Sequence, residues 1–217
     1  MNVFADPALV DIVALTFRVT GAALFLATLA GVPLGALLGM AHFRGRRLVA
    51  LVLYTGMGLP PVVVGLFVYM ALSRSGPAGS LGWLFTPAAM ITAQTIIAFP
   101  LVTALTMSSV EAVDRDLRLQ VTAIGATRRQ LAWTVLREAR IGVTAAIVAA
   151  LGGIISEVGA VMLVGGNIEG STRVLTTAIV LYTRQGDFAF AMGLGIVLIL
   201  LTLGANAALI QLQGRSR

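Results

Sequence analysis

The sequence predicts an all-α, polytopic membrane protein with five transmembrane helices, and three observations predict it. Of 217 residues, 58% are apolar and 11% charged, where a soluble domain carries about 25% charged residues. Five apolar stretches of more than twenty residues can be marked off, each long enough to cross a hydrocarbon core of ~30 Å. The basic residues fall in the gaps between these stretches, and unevenly. The composition also excludes classes. Without cysteine there is no disulfide-stapled secreted domain and no thiol-ligated metal site. All fifteen basic residues are arginine, so no lysine is present for a phosphate-binding loop, a Schiff base or a lysine general base.

The expected spans are 12–41, 48–72, 86–110, 142–164 and 188–212. Arg44, Arg46 and Arg47 follow the first; Arg115, Arg118, Arg128, Arg129, Arg137 and Arg140 lie between the third and fourth; Arg215 and Arg217 close the chain. Placed on one side, these make eleven arginines, against Arg74, Arg173 and Arg184 on the other, with Arg18 at the outer mouth of the first span. Short arginine-rich loops stay in the cytoplasm, so the N-terminus is expected outside and the C-terminus inside. The net charge of +6 therefore reads as membrane topology and not as a nucleic-acid surface. Residues 1–11 hold two acids and no basic stretch, unlike a cleaved signal peptide.

In the first span, Gly31, Gly35 and Gly39 recur every four residues with Pro33 between. They leave one helix face bare for close approach of another helix, either within the subunit or at a subunit interface. The second span holds Gly56, Gly58, Pro60, Pro61 and Gly65 within ten residues. Two successive prolines remove donors and crowd the preceding turn, predicting a kinked or broken helix. It lines a pathway or faces lipid. Pro100 predicts a simple kink in the third span. In the fourth, Ala145, Ala149 and Gly153 repeat the small-residue pattern, and Glu157 is the one acid inside an apolar span. Counted from Val143, it lies about 21 Å deep, where an unpaired carboxylate is costly. Three explanations stand open: hydrogen bonds to Gln94 or Thr95, a pair with Arg18, or a hydrated route.

The outer segment 165–187 opens with Gly165-Gly166-Asn167-Ile168-Glu169-Gly170-Ser171-Thr172-Arg173. Ser171 and Thr172 are helix-capping types. Val174, Leu175, Ala178, Ile179 and Tyr182 then form an apolar stripe on a helix too short to span, lying in the outer interface or dipping into it. Arg173 either meets an anionic solute or pairs with Glu169. The cytoplasmic segment 111–141 begins with Glu111, Asp114 and Asp116, suiting a helix N-terminus. Leu117, Val121 and Ile124 share a face, Gly125 interrupts it, and Leu131, Val135 and Leu136 resume it. The pattern reads as helix, glycine turn, helix: a bracket with a small-residue and arginine tip at Ala123–Gln130. The lone His42 lies among arginines with no ligand cluster near it, so a metal or nucleophile site is not expected.

Read in order, these features resemble the membrane subunits of type I ABC importers, specifically those for molybdate- and tungstate-like oxyanions. Leu59-Pro60-Pro61-Val62-Val63-Val64-Gly65 is similar to that group's span-two signature, and Phe99-Pro100-Leu101 to its approach to the cytoplasmic loop. Ala123-Ile124-Gly125-Ala126-Thr127-Arg128 resembles the glycine-centred part of the loop that docks on the ATPase. Ser156-Glu157-Val158-Gly159-Ala160 with Gly165–Ile179 resembles the tungstate-type branch more than the molybdate or sulfate branches. The likeness covers about residues 10 to 212. Two departures stand: Leu119-Gln120-Val121 replaces the family's Glu-Ala-Ala, and Arg137 and Glu138 occupy the place of its Leu-Pro pair.

The resemblance implies a homodimeric permease of the bacterial or archaeal cytoplasmic membrane. A separate ATPase dimer, which binds the ATP and Mg, drives it, and an external solute-binding protein feeds it. It implies coupling through Ala123, Gly125, Ala126, Thr127, Arg128 and Arg129, a pathway and gate at Pro60, Pro61 and Glu157, and an outer mouth at Asn167 and Arg173. No catalytic residue, cofactor or metal is expected in this chain. No appended C-terminal regulatory domain is expected either, the chain ending five residues after the fifth span. Two rival classes remain: an ABC permease for sulfate, phosphate or an amino acid, and a self-contained carrier or channel. The second predicts buried ionisable relays and an inverted repeat, and neither is visible.

Overall fold

A computed structural model describes residues 7–41 and 43–214; His42, Arg215 and Arg217 lie outside the described residues. Among these the regular secondary structure is all helical, with no strand. Its helices are α1 (Pro7–Met40), α2 (Arg46–Met57), α3 (Pro61–Leu72), α4 (Pro87–Glu111), α5 (Arg115–Ala123), α6 (Arg128–Glu138), α7 (Arg140–Ile155), α8 (Gly159–Gly165), α9 (Leu175–Arg184) and α10 (Phe188–Gly214). Three of them, α1, α4 and α10, are long and apolar enough to cross a membrane unaided.

The expected second span is two helices of twelve residues bent by 99°. The proline pair causes this. Pro61 occupies the first turn of α3, where a missing N–H costs nothing, and the Pro60 carbonyl accepts from Val63 and Val64. The expected fourth span is also interrupted. α7 is sixteen residues, or about 24 Å, and stops at Ile155. Ser156-Glu157-Val158 then break the helix before the seven-residue α8. α7 also leaves α6 at 65°.

α1 against α4 is the central packing. A Cβ on Gly35 would lie 2.5 Å from the Thr103 carbonyl oxygen, and one on Gly39 would lie 2.8 Å from that of Met107. The glycine stripe therefore packs within the subunit. The second stripe does not: Ala145, Ala149 and Gly153 are exposed on α7. Several hydroxyls within the long helices return to their own backbone: Thr16 to Ile12, Thr95 to Ile91 and Thr103 to Phe99, each at 2.7 Å. That removes the cost of carrying them in an apolar medium. α4 continues through Pro100, and Gly56 of α2 packs on the proline ring.

Candidate transport pathway and coupling bracket

α5, a glycine turn and α6 form the bracket. Asp114 caps α5 by accepting the Asp116 N–H at 2.8 Å. The helix ends in a Schellman pattern: the Gly125 N–H donates to the Thr122 carbonyl at 3.0 Å and the Ala126 N–H to that of Val121 at 3.3 Å. Gly125 has φ +84°, the left-handed conformation this turn requires. Thr127 then caps α6 in a reciprocal box with Gln130. The Thr-Arg-Arg-Gln sequence carries this capping-box signature, a local signal that apolar spacing alone does not contain.

The bracket is bolted to the body on one side. Val110, Val113, Val135, Ala139 and Val143 form a buried cluster with Ala36 of α1, and Leu117, Leu131 and Leu136 pack against it. An Arg118 guanidinium N–H donates to the Val110 carbonyl. At the same level Arg46 forms an ion pair with Glu111 and donates to the Leu38 carbonyl at 3.0 Å, tying the ends of α1, α2 and α4. The tip points the other way. Ala123, Gly125, Thr127, Arg128 and Arg129 are exposed, with Ala126 half-buried. Ile124, expected on the face shared with Leu117 and Val121, is 84% exposed, and Trp133 of α6 is 68% exposed. Ile124 is the C-cap of α5 with φ −81° and ψ 9°, so the turn carries it off the apolar stripe. Trp133 lies two residues beyond Leu131, on the opposite helix face, a position the spacing gave away.

The two broken spans meet. A Cβ on Gly65 would stand 2.6 Å from the Ala160 Cα, and one on Gly159 would stand 2.4 Å from Val62 Cγ2. The Pro60–Pro61 break and the Glu157 break are thus neighbours, joined by backbone-to-backbone packing of α3 on α8. Glu157 makes neither of the side-chain bonds expected of it. Its Oε1 accepts the Ala160 N–H at 2.9 Å, capping α8, and its carbonyl accepts from Thr176 Oγ1 at 3.0 Å. Gln94 instead donates to the Ile154 carbonyl at 3.0 Å, and Thr95 bonds within its own helix. Arg18 lies elsewhere, lining a separate cleft.

That cleft, of about 790 Å³, is lined by Asp11, Arg18, Glu169 and Arg173 among others. Arg173 pairs with Glu169 at 3.2 Å, its Nε buried without a partner. Asn167 has φ 52° and a buried, unpartnered Oδ1. Ser171 does not cap a helix; Thr172 ties the loop by accepting the Ile168 N–H and donating to the Gly165 carbonyl. The expected stripe of α9 is present, with Leu175 and Ala178 buried against Ile12, Phe190 and Leu194. Among the described residues no group of three or more acidic, histidine or cysteine side chains is placed to hold a metal ion.

Residues 31–216 match the family described as the binding-protein-dependent transport system inner membrane component. The chain belongs to that family. This permease is 46% identical over 204 residues to a probable anion ABC transporter permease protein of Haloferax volcanii, covering 92% of this chain and 88% of that one. It is 39% identical over 208 residues to the tungstate uptake system permease protein TupB of Peptoclostridium acidaminophilum (96% and 91%). To the molybdenum transport system permease protein ModB of Escherichia coli it is 27% identical over 174 residues (76% of each). In fold it matches a chain of the MetNI methionine ABC transporter in an inward-facing conformation, with TM-score 0.76 at 20% identity over 94% of this chain and 95% of that one. A bacterial alginate ABC transporter gives TM-score 0.80 at 19% identity, covering 98% and 81%. The permease is an integral membrane transport subunit and not an enzyme; ATP hydrolysis belongs to a separate ATPase.

Proposed function

We propose that this permease imports a tetrahedral oxyanion, tungstate or molybdate, by alternating access driven by an ATPase dimer. The cargo reading rests on the likeness to tungstate and anion permeases over nearly the whole chain. Two copies pack about a two-fold axis in the cytoplasmic membrane of a bacterium or archaeon, each crossing it five times, N-terminus outside and C-terminus inside. The exposed small-residue face of α7 supports close approach of another helix. An external binding protein delivers the anion to the mouth at Asn167 and Arg173. Pro60, Pro61 and Glu157 shape the gate, Glu157 by holding the break open as the cap of α8.

The observation that carries the mechanism is the bracket: rooted in the body by a buried apolar cluster, exposed and cationic at its tip. A rigid projection of this kind transmits motion. Closure of the ATPase dimer on ATP displaces the tips at Ala123, Gly125, Ala126, Thr127, Arg128 and Arg129, and the helices rooted in the same cluster swing. A tight anion site within the permease would oppose release, so affinity belongs to the binding protein. The test is ATP-driven uptake of labelled tungstate, molybdate and sulfate into vesicles holding permease, ATPase and binding protein. Tungstate or molybdate must accumulate in preference to sulfate; preference for sulfate overturns the cargo.

A further inference from the structure

Where the bracket meets the body, a cleft of about 490 Å³ opens between the ends of α1 and α4 and the two bracket helices. Its floor is apolar, made by Met40, Val113, Leu131 and Val135. Its rim carries Arg115, Arg118 and Glu111. The Glu111 carboxylate is already taken by Arg46. Arg118 spends one N–H on the Val110 carbonyl, and its Nε is buried with no partner. Arg115 is exposed and makes no hydrogen bond or ion pair among the described residues. Of the remaining acids nearby, Asp114 is engaged in capping α5, and Asp116 is exposed in its first turn.

A buried guanidinium N–H left without an acceptor is costly, and such groups are normally completed by a ligand or water. Two guanidinium groups present planar, multiple donors of the kind that recognise phosphate-like oxyanions. The cleft also lies at a membrane boundary, because α1 and α4 are two of the helices long and apolar enough to span and both end here. An apolar floor beneath a cationic rim suits a phosphate carried on an apolar body.

We infer that this cleft binds a tetrahedral oxyanion group between Arg115 and Arg118, bracing α5 against the ends of α1 and α4. The phosphate of an anionic phospholipid and a free oxyanion in the aqueous phase share this chemistry. Occupancy stiffens the bracket's root, so membrane composition or anion level sets how faithfully the tip moves the helices. That consequence rests on the coupling role of the bracket; the binding itself does not.

The permease assembled with its ATPase in phosphatidylcholine nanodiscs is titrated calorimetrically, without ATP, with short-chain phosphatidylglycerol and separately with inorganic phosphate. Saturable binding of the lipid is expected. Arg115→Gln and Arg118→Gln each weaken it about fivefold, the effect of one basic residue on an anionic lipid. Arg118→Lys, which keeps charge and loses the fork, also weakens it, whereas Arg47→Gln, an exposed arginine outside the cleft, leaves it unchanged. If phosphate binds and displaces the lipid, the free anion is a second source; if only the lipid binds, the lipid is the source. Absence of saturable binding by either probe, or equal loss in Arg47→Gln and Arg115→Gln, overturns the assignment. Co-purification with the ATPase verifies that each variant is folded. Because no transport is read, failure of the uptake reading leaves this result independent.

Discussion

Replacing Gly125 isolates the geometry of the bracket tip from its contacts. The residue holds φ +84°, and a Cβ built there meets nothing within 4 Å. Alanine therefore clashes with no neighbour and pays only for the left-handed backbone, about 1–2 kcal/mol. Since 1–2 kcal/mol is a factor of 5–30 in an equilibrium, Gly125→Ala weakens ATPase binding by up to that factor if the ATPase reads this turn. Gly125→Asn recovers most of the loss, because asparagine tolerates the same region. Gly125→Pro forces φ to about −65° and deletes the N–H that bonds Thr122, so it abolishes coupling. The assay is affinity for the purified ATPase in nanodiscs, paired with ATP-driven uptake. The order Gly, Asn, Ala, Pro is required. Equal affinity for all four, or uptake in the proline variant, refutes the tip as the coupling element.

Three shorter predictions follow from other parts of the fold. Gly35→Ala drives a Cβ into the Thr103 carbonyl and costs about 1–3 kcal/mol as overpacking, read as a lower thermal midpoint in detergent, while Gly21→Ala, with open space at that position, does not lower the midpoint because alanine is the better helix former. Glu157→Gln keeps an acceptor for the Ala160 N–H and retains assembly and uptake, whereas Glu157→Ala loses the cap, worth about 1 kcal/mol, and lowers the thermal midpoint; loss of uptake in the assembled Gln variant would instead assign the charge itself to the route. The chain has no cysteine, so single cysteines report topology: Ser75→Cys and Ser171→Cys react with an impermeant maleimide in intact cells, and Arg128→Cys reacts only after permeabilisation. The reverse pattern inverts the orientation.

What the sequence made legible and what it hid divide along the range of the interactions. α1, α4 and α10 follow from length and hydropathy, and the break at Pro60–Pro61 follows from covalent chemistry at those two residues. The bracket was legible because its apolar spacing and its central Gly125 are local signals. The break at Ser156–Val158 was not. No proline marks it, and it is held by Gln94 on Ile154 and Thr176 on Glu157, partners 60 and 19 positions away. Depth counting along an unbroken helix therefore offered Gln94, Thr95 and Arg18 as partners of Glu157 and could not offer the Ala160 N–H that its carboxylate accepts. The Arg46–Glu111 tie, 65 positions apart, is likewise invisible to periodicity. Arg18 and Arg173, which composition put on one side, line one cleft, but only the folded loop decides that Arg173 pairs with Glu169.

The meeting of the two breaks constrains how the proposed gate moves. Flexible joints are expected where helices are interrupted, and a gate built on two independent joints would let α3 and α8 slide past each other. The packing argues against that. Gly65 lies against Ala160 closely enough that a single added carbon would stand 2.6 Å from its Cα, so the two backbones are in contact without intervening side chains. A close-packed contact of this kind has discrete arrangements and does not deform continuously, and α3 and α8 share one buried cluster through Val64, Val68, Val161 and Val164. We therefore expect them to move as one body, with motion taken up on the far sides of the breaks, at α2 and α7. A disulfide across Val62→Cys and Gly159→Cys tests this. If α3 and α8 travel together, the oxidised variant transports at the rate of the reduced one. Loss of uptake on oxidation, restored by reductant, would show that the breaks must separate for each turnover.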